Sequence, residues 1–142
     1  MTRSTMREHI FKLLFRAPFI DNKDEYEEQI NLYFADADMV DASHLKEEEY
    51  NYIKDKTLAI AELIPELDEK IDSVSEGWPT SRLGKTELSI MRLAVYEMLY
   101  DEDIPTNVAI NEAVELAKSS DFVKNNLSAE IYDAVFNNLN YT

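Results

Sequence analysis

The chain has no cysteine. That excludes a disulfide framework, a thiolate nucleophile and any zinc site built on sulfur, and it suits a reducing cytosol. Glycine is almost as scarce, at two in 142 residues, and there are only four prolines. Two glycines outside any repeat cannot build a glycine-rich phosphate loop. The scarcity of both residues, with short β-branched runs, favours helix from end to end. No apolar stretch is long enough to span a bilayer, and the first residues lack an apolar signal core, so the expected location is the cytoplasm. His9 and His44 stand far apart in sequence without an evident carboxylate or serine partner, and catalysis finds no support. The runs Glu47-Glu48-Glu49 and Asp101-Glu102-Asp103 read as solvated surface, because oxygen-ligand metal sites need convergent geometry.

Positive charge is the remaining scarcity: 14 Lys and Arg stand against 29 Asp and Glu, a net charge of −15. Its distribution matters more than its sum. In residues 1–16, Arg3, Arg7, Lys12 and Arg16 face Glu8 alone, a local charge of +3. Residues 21–76 hold 18 acids against 5 bases, and residues 77–142 hold 10 against 5. Only the first segment can attract a phosphate backbone, which supplies most of the affinity of nucleic-acid binders. The acidic remainder suits a basic protein partner, since charge complementarity sets encounter rate and specificity.

A chain of this length reads as one domain that buries about two-thirds of its unfolded surface. Periodicity predicts a first helix over 3–16, ending before Pro18. Met6, Ile10, Leu13, Leu14 and Ala17 form its apolar stripe; His9, Lys12 and Arg16 fall opposite, and Phe11 and Phe15 lie between. A second helix over 23–36 turns Ile30, Tyr33 and Phe34 inward. A loop follows, in which Ser43 is placed to cap a third helix over about 44–64 that presents Leu45, Tyr52, Ile53, Ala59, Ile60 and Leu63. Pro65 sits in the first turn of a short fourth helix. Gly77-Trp78-Pro79 breaks the chain into lobes of about 1–76 and 77–142.

The second lobe begins with the most apolar helix. From about Thr86, residues Leu88, Met91, Val95, Met98 and Leu99 repeat at helical spacing, and Ile90, Leu93, Ala94 and Tyr96 fill most of the circumference. Such a helix needs neighbours on several sides. Arg92 within it is expected to pair with Glu97 or Glu112. An acidic turn closed by Pro105 leads to a helix over about 107–119, where Ala109, Ala113 and Ala117 let another backbone approach closely. A last helix covers Ser128–Leu139. The fold class is therefore all-α, with about seven helices.

The run Ile90–Tyr100, Asp103–Pro105 and Val108–Lys118 resembles the core motif of the NusB family of bacterial transcription antitermination factors. Arg7–Phe15 is similar to the family's first helix, and the likeness spans roughly residues 3–120. The resemblance implies two packed three-helix bundles and a non-enzymatic role. It also implies two partners: a basic small-subunit ribosomal protein, known in this role as NusE, and single-stranded boxA-type RNA on ribosomal RNA operons, with RNA polymerase engaged indirectly. It supports RNA contact at Arg3 and Arg7, beside which the Lys12 and Arg16 face adds cations on charge grounds. Phe11 or Phe15 offers the ring on which a base stacks, Phe11 reading as core and Phe15 aligning with an aromatic of the family's RNA recognition. Glu87 aligns with an acidic position of the NusE interface and equally suits a helix N-terminus. Asn111, in the AINEA motif, reads as structural.

The chain also departs from the family pattern. Ser4 and Thr5 stand where members often carry further arginines, which implies weak RNA binding by the chain alone. Residues 119–127 lack the family's glycine loop, and Ile131 and Asp133-Ala134 replace its aromatic and Asn-Gly, so no RNA role passes to them. Lys118 and Lys124 are local substitutes on charge grounds. A second reading follows from these departures: an acidic protein–protein adaptor of the same fold with little RNA binding of its own. A third, attachment to an RNA methyltransferase, lacks a cofactor domain within 142 residues. NusB-like proteins occur as monomers or homodimers, and a homodimer could cover the first helix.

Overall fold

The computed structural model describes residues 1–17, 22–36, 45–74 and 84–119. These hold six helices and no strand: α1 (Arg3–Leu14), α2 (Lys23–Ala35), α3 (Glu47–Glu62), α4 (Ile64–Val74), α5 (Lys85–Tyr100) and α6 (Thr106–Ser119). The all-α class is as the sequence implies. The expected helix over Ser128–Leu139, the Ser43 cap and the Gly77-Trp78-Pro79 break lie outside the described residues. The chain forms two compact units, Met1–Glu62 and Leu63–Thr142, so α4 groups with α5 and α6.

In the first unit, each helix starts where a side chain can satisfy the open amides of its first turn. The Thr2 hydroxyl accepts from the Thr5 amide at 3.1 Å, and the Asn22 carbonyl oxygen accepts from the Glu25 amide at 2.8 Å. Asp24 and Glu25, in the first turn of α2, suit its positive end. Before α3, the Glu49 carboxylate accepts from the Lys46 amide at 3.1 Å. The core combines Ile10, Leu13 and Leu14 of α1 with Tyr26, Ile30, Tyr33 and Phe34 of α2 and Ile53, Leu58 and Ile60 of α3. The Tyr26 hydroxyl donates to the Leu13 carbonyl at 2.9 Å and ties α2 to the end of α1.

Tyr52 corrects the expected inward face of α3, because it is exposed and has the Lys56 ammonium over its ring. Ile53, Thr57 and Ile60 form the true buried stripe. Tyr52 stands one residue, about 100°, off that stripe. Thr57 is fully buried and its hydroxyl has no hydrogen-bond partner among the described residues. Thr57→Val, which keeps the shape and removes the stranded hydroxyl, is expected to raise stability by about 1 kcal/mol in urea unfolding.

In the second unit, α5 packs between α4 and α6. Every residue from Ser89 to Val95 is buried, nearly two turns without a solvent face, as an all-round apolar helix requires. Ala109, Ala113 and Ala117 of α6 are buried, and α6 meets α5 more extensively than any other described helix pair meets. Leu67 and Ile71 form the buried edge of α4. Arg92, on α5, is held by Asp68 of α4 rather than by Glu97 or Glu112. Its Nε and Nη2 donate to the two carboxylate oxygens at 2.8 and 2.7 Å. Asp68 lies one residue past Leu67 on α4, within reach of the α5 face that carries Arg92.

Candidate nucleic-acid interface

The residues of α1 separate into a wide buried arc and a narrower exposed one. Ile10, Phe11, Leu13 and Leu14 are buried, as expected, and Arg7 and His9 are buried with them. Only 5% of Arg7 is exposed, and it is engaged within the protein. This corrects its assignment as an accessible RNA contact. The reason is helical register: Arg7 lies one turn before Phe11 and two before Leu14, on the stripe that enters the core.

His9 is corrected too, since spacing alone puts it on the solvated face with Lys12 and Arg16. It packs against α2, with its Nδ1 2.7 Å from the Tyr33 hydroxyl and its ring edge-on to that of Tyr33. Phe34 lies beside both rings, and Tyr50 of α3 stacks edge-on against Phe34. Burial, and secondly the Lys12 charge, lower the His9 pKa from its ordinary value, against a smaller opposing effect of Glu8. His9 is therefore neutral near pH 7 and adds no charge to the surface. Burial also pushes the Tyr33 phenol up to about 12, although the Arg16 guanidinium acts against it.

These shifts set a pH dependence. The unfolded chain takes up a proton at His9 near pH 6.5, whereas the folded one resists it. The stabilisation is complete above about pH 6.5 and is lost as pH falls through the lower folded value. At the alkaline end, the Tyr33 contribution holds below about pH 10 and is lost as pH rises towards 12. Urea unfolding between pH 7.5 and 5 should show declining stability, with a shallower decline in His9→Gln.

The exposed arc of α1 and its C-terminal turn carries Lys12, Phe15 and Arg16, which lie within about 100° of one another around the axis. Phe15, the residue that caps the helix, is 36% exposed, whereas the Phe11 ring is in the core. The Arg16 guanidinium lies 5.5 Å from the Tyr33 ring centre, held by a cation–π contact and presented at the surface. Lys12 pairs with Glu8 one turn earlier at 3.3 Å, with both groups substantially exposed. That pair is weak in water, so a phosphate can displace the carboxylate. Arg3 is exposed at the start of the helix.

The other assigned residues lie in the second unit. Lys118 is exposed near the end of α6, 4.0 Å from Glu115. Asn111 is exposed on α6. Lys124, Ile131 and Asp133 lie outside the described residues. Glu87 folds back over the start of α5. Gly84 caps that helix without a side chain, and a Cβ built there would collide with Glu87 Oε2. Its carboxylate thus occupies the space that a capping side chain would take, next to the positive helix end.

The model of the NusB family matches residues 4–129. The chain belongs to the NusB family. A protein of Agathobacter rectalis called transcription antitermination protein NusB is 50% identical over 118 residues, covering 83% of this chain and 86% of its own. A relative with the same name from Lachnoclostridium phytofermentans is 41% identical over 140 residues, covering 94% and 100%. A third, from Natranaerobius thermophilus, is 38% identical over 143 residues, covering 99% and 98%. The likeness carried by the motif in sequence thus extends along nearly the whole length of two of these NusB proteins. Of the NusB-like RNA contacts expected on α1 and its C-terminal turn, burial removes Arg7 and leaves Arg3, Lys12, Phe15 and Arg16 accessible.

Proposed function

We propose that this chain acts in transcription antitermination as a non-enzymatic factor of the cytoplasm. In this reading it pairs with the NusE ribosomal protein and holds a boxA-type single-stranded RNA of ribosomal RNA operons, acting on the RNA polymerase elongation complex indirectly. Its relatives carry the antitermination name. The observation that carries the RNA reading is the exposed face of α1, where Lys12, Phe15 and Arg16 meet solvent on an otherwise acidic chain. Cations that track phosphates beside a ring that accepts a base are the elements of single-strand recognition. Affinity is the sum of those contacts and a surface shared with NusE, to which Glu87 contributes as a second role beside its cap. Lys118, on α6, is a phosphate contact on charge grounds. A homodimer that covered α1 would compete with RNA.

The burial of Arg7 favours a second reading. With that cation engaged inside the protein, the charge left for RNA shrinks, and a protein–protein adaptor of the same fold needs no more. Titrating a boxA-containing RNA into the chain, alone and with NusE, separates the two. The antitermination reading expects weak binding alone and at least tenfold tighter binding with NusE present. Binding of NusE with no gain in RNA affinity would establish the adaptor instead.

A further inference from the structure

The C-terminal end of α5 departs from the rest of that helix. After the buried run Ser89–Val95 and the buried Glu97, the helix emerges into solvent with apolar side chains: Leu99 is 44% and Tyr100 45% exposed. The Tyr96 and Tyr100 rings stack at 5.8 Å with 24° between their planes, which fixes a flat aromatic surface one turn long. Beyond it comes the turn Asp101-Glu102-Asp103. Asp101 is used locally, since its carboxylate accepts from the Asp103 amide at 3.1 Å, and buried Ile104 anchors the turn from the far side. Glu102 and Asp103 are exposed.

The electrostatics of this corner are unfavourable for the chain by itself. The C-terminal end of a helix carries partial negative charge, which cations offset. Here the last turn has no basic residue, and the exposed carboxylates of Glu102 and Asp103 lie just beyond it. Exposed Leu99 and Tyr100, bordered by the exposed carboxylates of Glu102 and Asp103, match a partner that supplies both apolar side chains and cations. Tyr52 in the first unit shows the contrast: its exposed ring already carries the Lys56 ammonium of its own helix.

We propose that Leu99, Tyr100, Glu102 and Asp103 form a docking surface for a basic, apolar-bearing segment of a partner protein, in which Lys or Arg alternate with Leu or Phe. Glu87 starts the same helix, about 18 Å away along the axis, and points to another side of it. The surface therefore does not include Glu87, and it does not depend on RNA binding.

The test uses the full chain, isotopically labelled, and two synthetic peptides of equal charge: one alternating Lys with Leu, the other alternating Lys with Gly. The expected result is saturable amide shifts from the Lys–Leu peptide, concentrated at residues 96–104, with affinity at least tenfold above that of the Lys–Gly peptide. Leu99→Ser/Tyr100→Ser should remove that preference. Glu102→Lys/Asp103→Lys should weaken both peptides while leaving the amide spectrum elsewhere unchanged. Equal affinity for the two peptides, or shifts spread over the acidic 21–76 segment in wild type and variants alike, would overturn the proposal.

Discussion

Asp68→Ala is expected to destabilise the protein by about 3 kcal/mol or more, the cost of leaving a buried charge without its partner. Arg92 is 7% exposed on the most buried helix, and both of its bonds to Asp68 are short. Removing the carboxylate leaves the guanidinium inside the packed second unit with no acceptor from α4. Replacing both groups by apolar residues of similar volume, Arg92→Met/Asp68→Leu, removes the charge along with the partner and should recover most of the loss. Urea unfolding of the three variants checks this. Equal stability of Asp68→Ala and wild type would show that Arg92 finds another acceptor.

The second large effect separates two rings on one helix. Phe15→Ala should weaken RNA binding in the presence of NusE by about tenfold to a hundredfold, corresponding to the 1–3 kcal/mol of a stacked base. It should cost less stability than Phe11→Ala does, because Phe15 is partly exposed and Phe11 is in the core. Phe11→Ala should do the reverse, costing about 3–5 kcal/mol of stability through the cavity left in the core. Its effect on RNA should appear only as far as the protein unfolds. Thermal melts alongside RNA titrations distinguish the two residues, and a Phe15→Ala protein that binds RNA normally would remove the stacking platform.

Periodicity describes the helices well wherever a residue's neighbours lie on its own helix. The Ile10, Leu13 and Leu14 stripe, the buried circumference of α5 and the alanine edge of α6 all follow from spacing alone. Spacing misplaces residues whose environment comes from another helix. Arg7 and His9 have polar side chains, and nothing in α1 says that α2 lies against His9 with Tyr33 and Phe34. A helix with two neighbours buries more than its apolar stripe, and polar residues on the second flank go in with it. Register does hold a signal for Arg7, because its position one turn before Phe11 puts it on a core stripe. The partner of Arg92 shows the same limit: Glu112 and Asp68 are about equally far from it in sequence, and the packing of α4 on α5 selects Asp68.

The accessible cations of α1 carry the central claim, and the salt dependence of RNA binding tests it most directly. Arg3→Ala/Lys12→Ala/Arg16→Ala and the wild-type chain would each be titrated with boxA-containing RNA in the presence of NusE, over a series of salt concentrations. If these three side chains meet phosphates, the variant binds at least tenfold more weakly at low salt. Its log–log salt slope should also be shallower by about 2, since each single-strand phosphate left without its cation removes about 0.7. Identical affinity and slope in the two proteins would contradict the account and move the RNA away from α1.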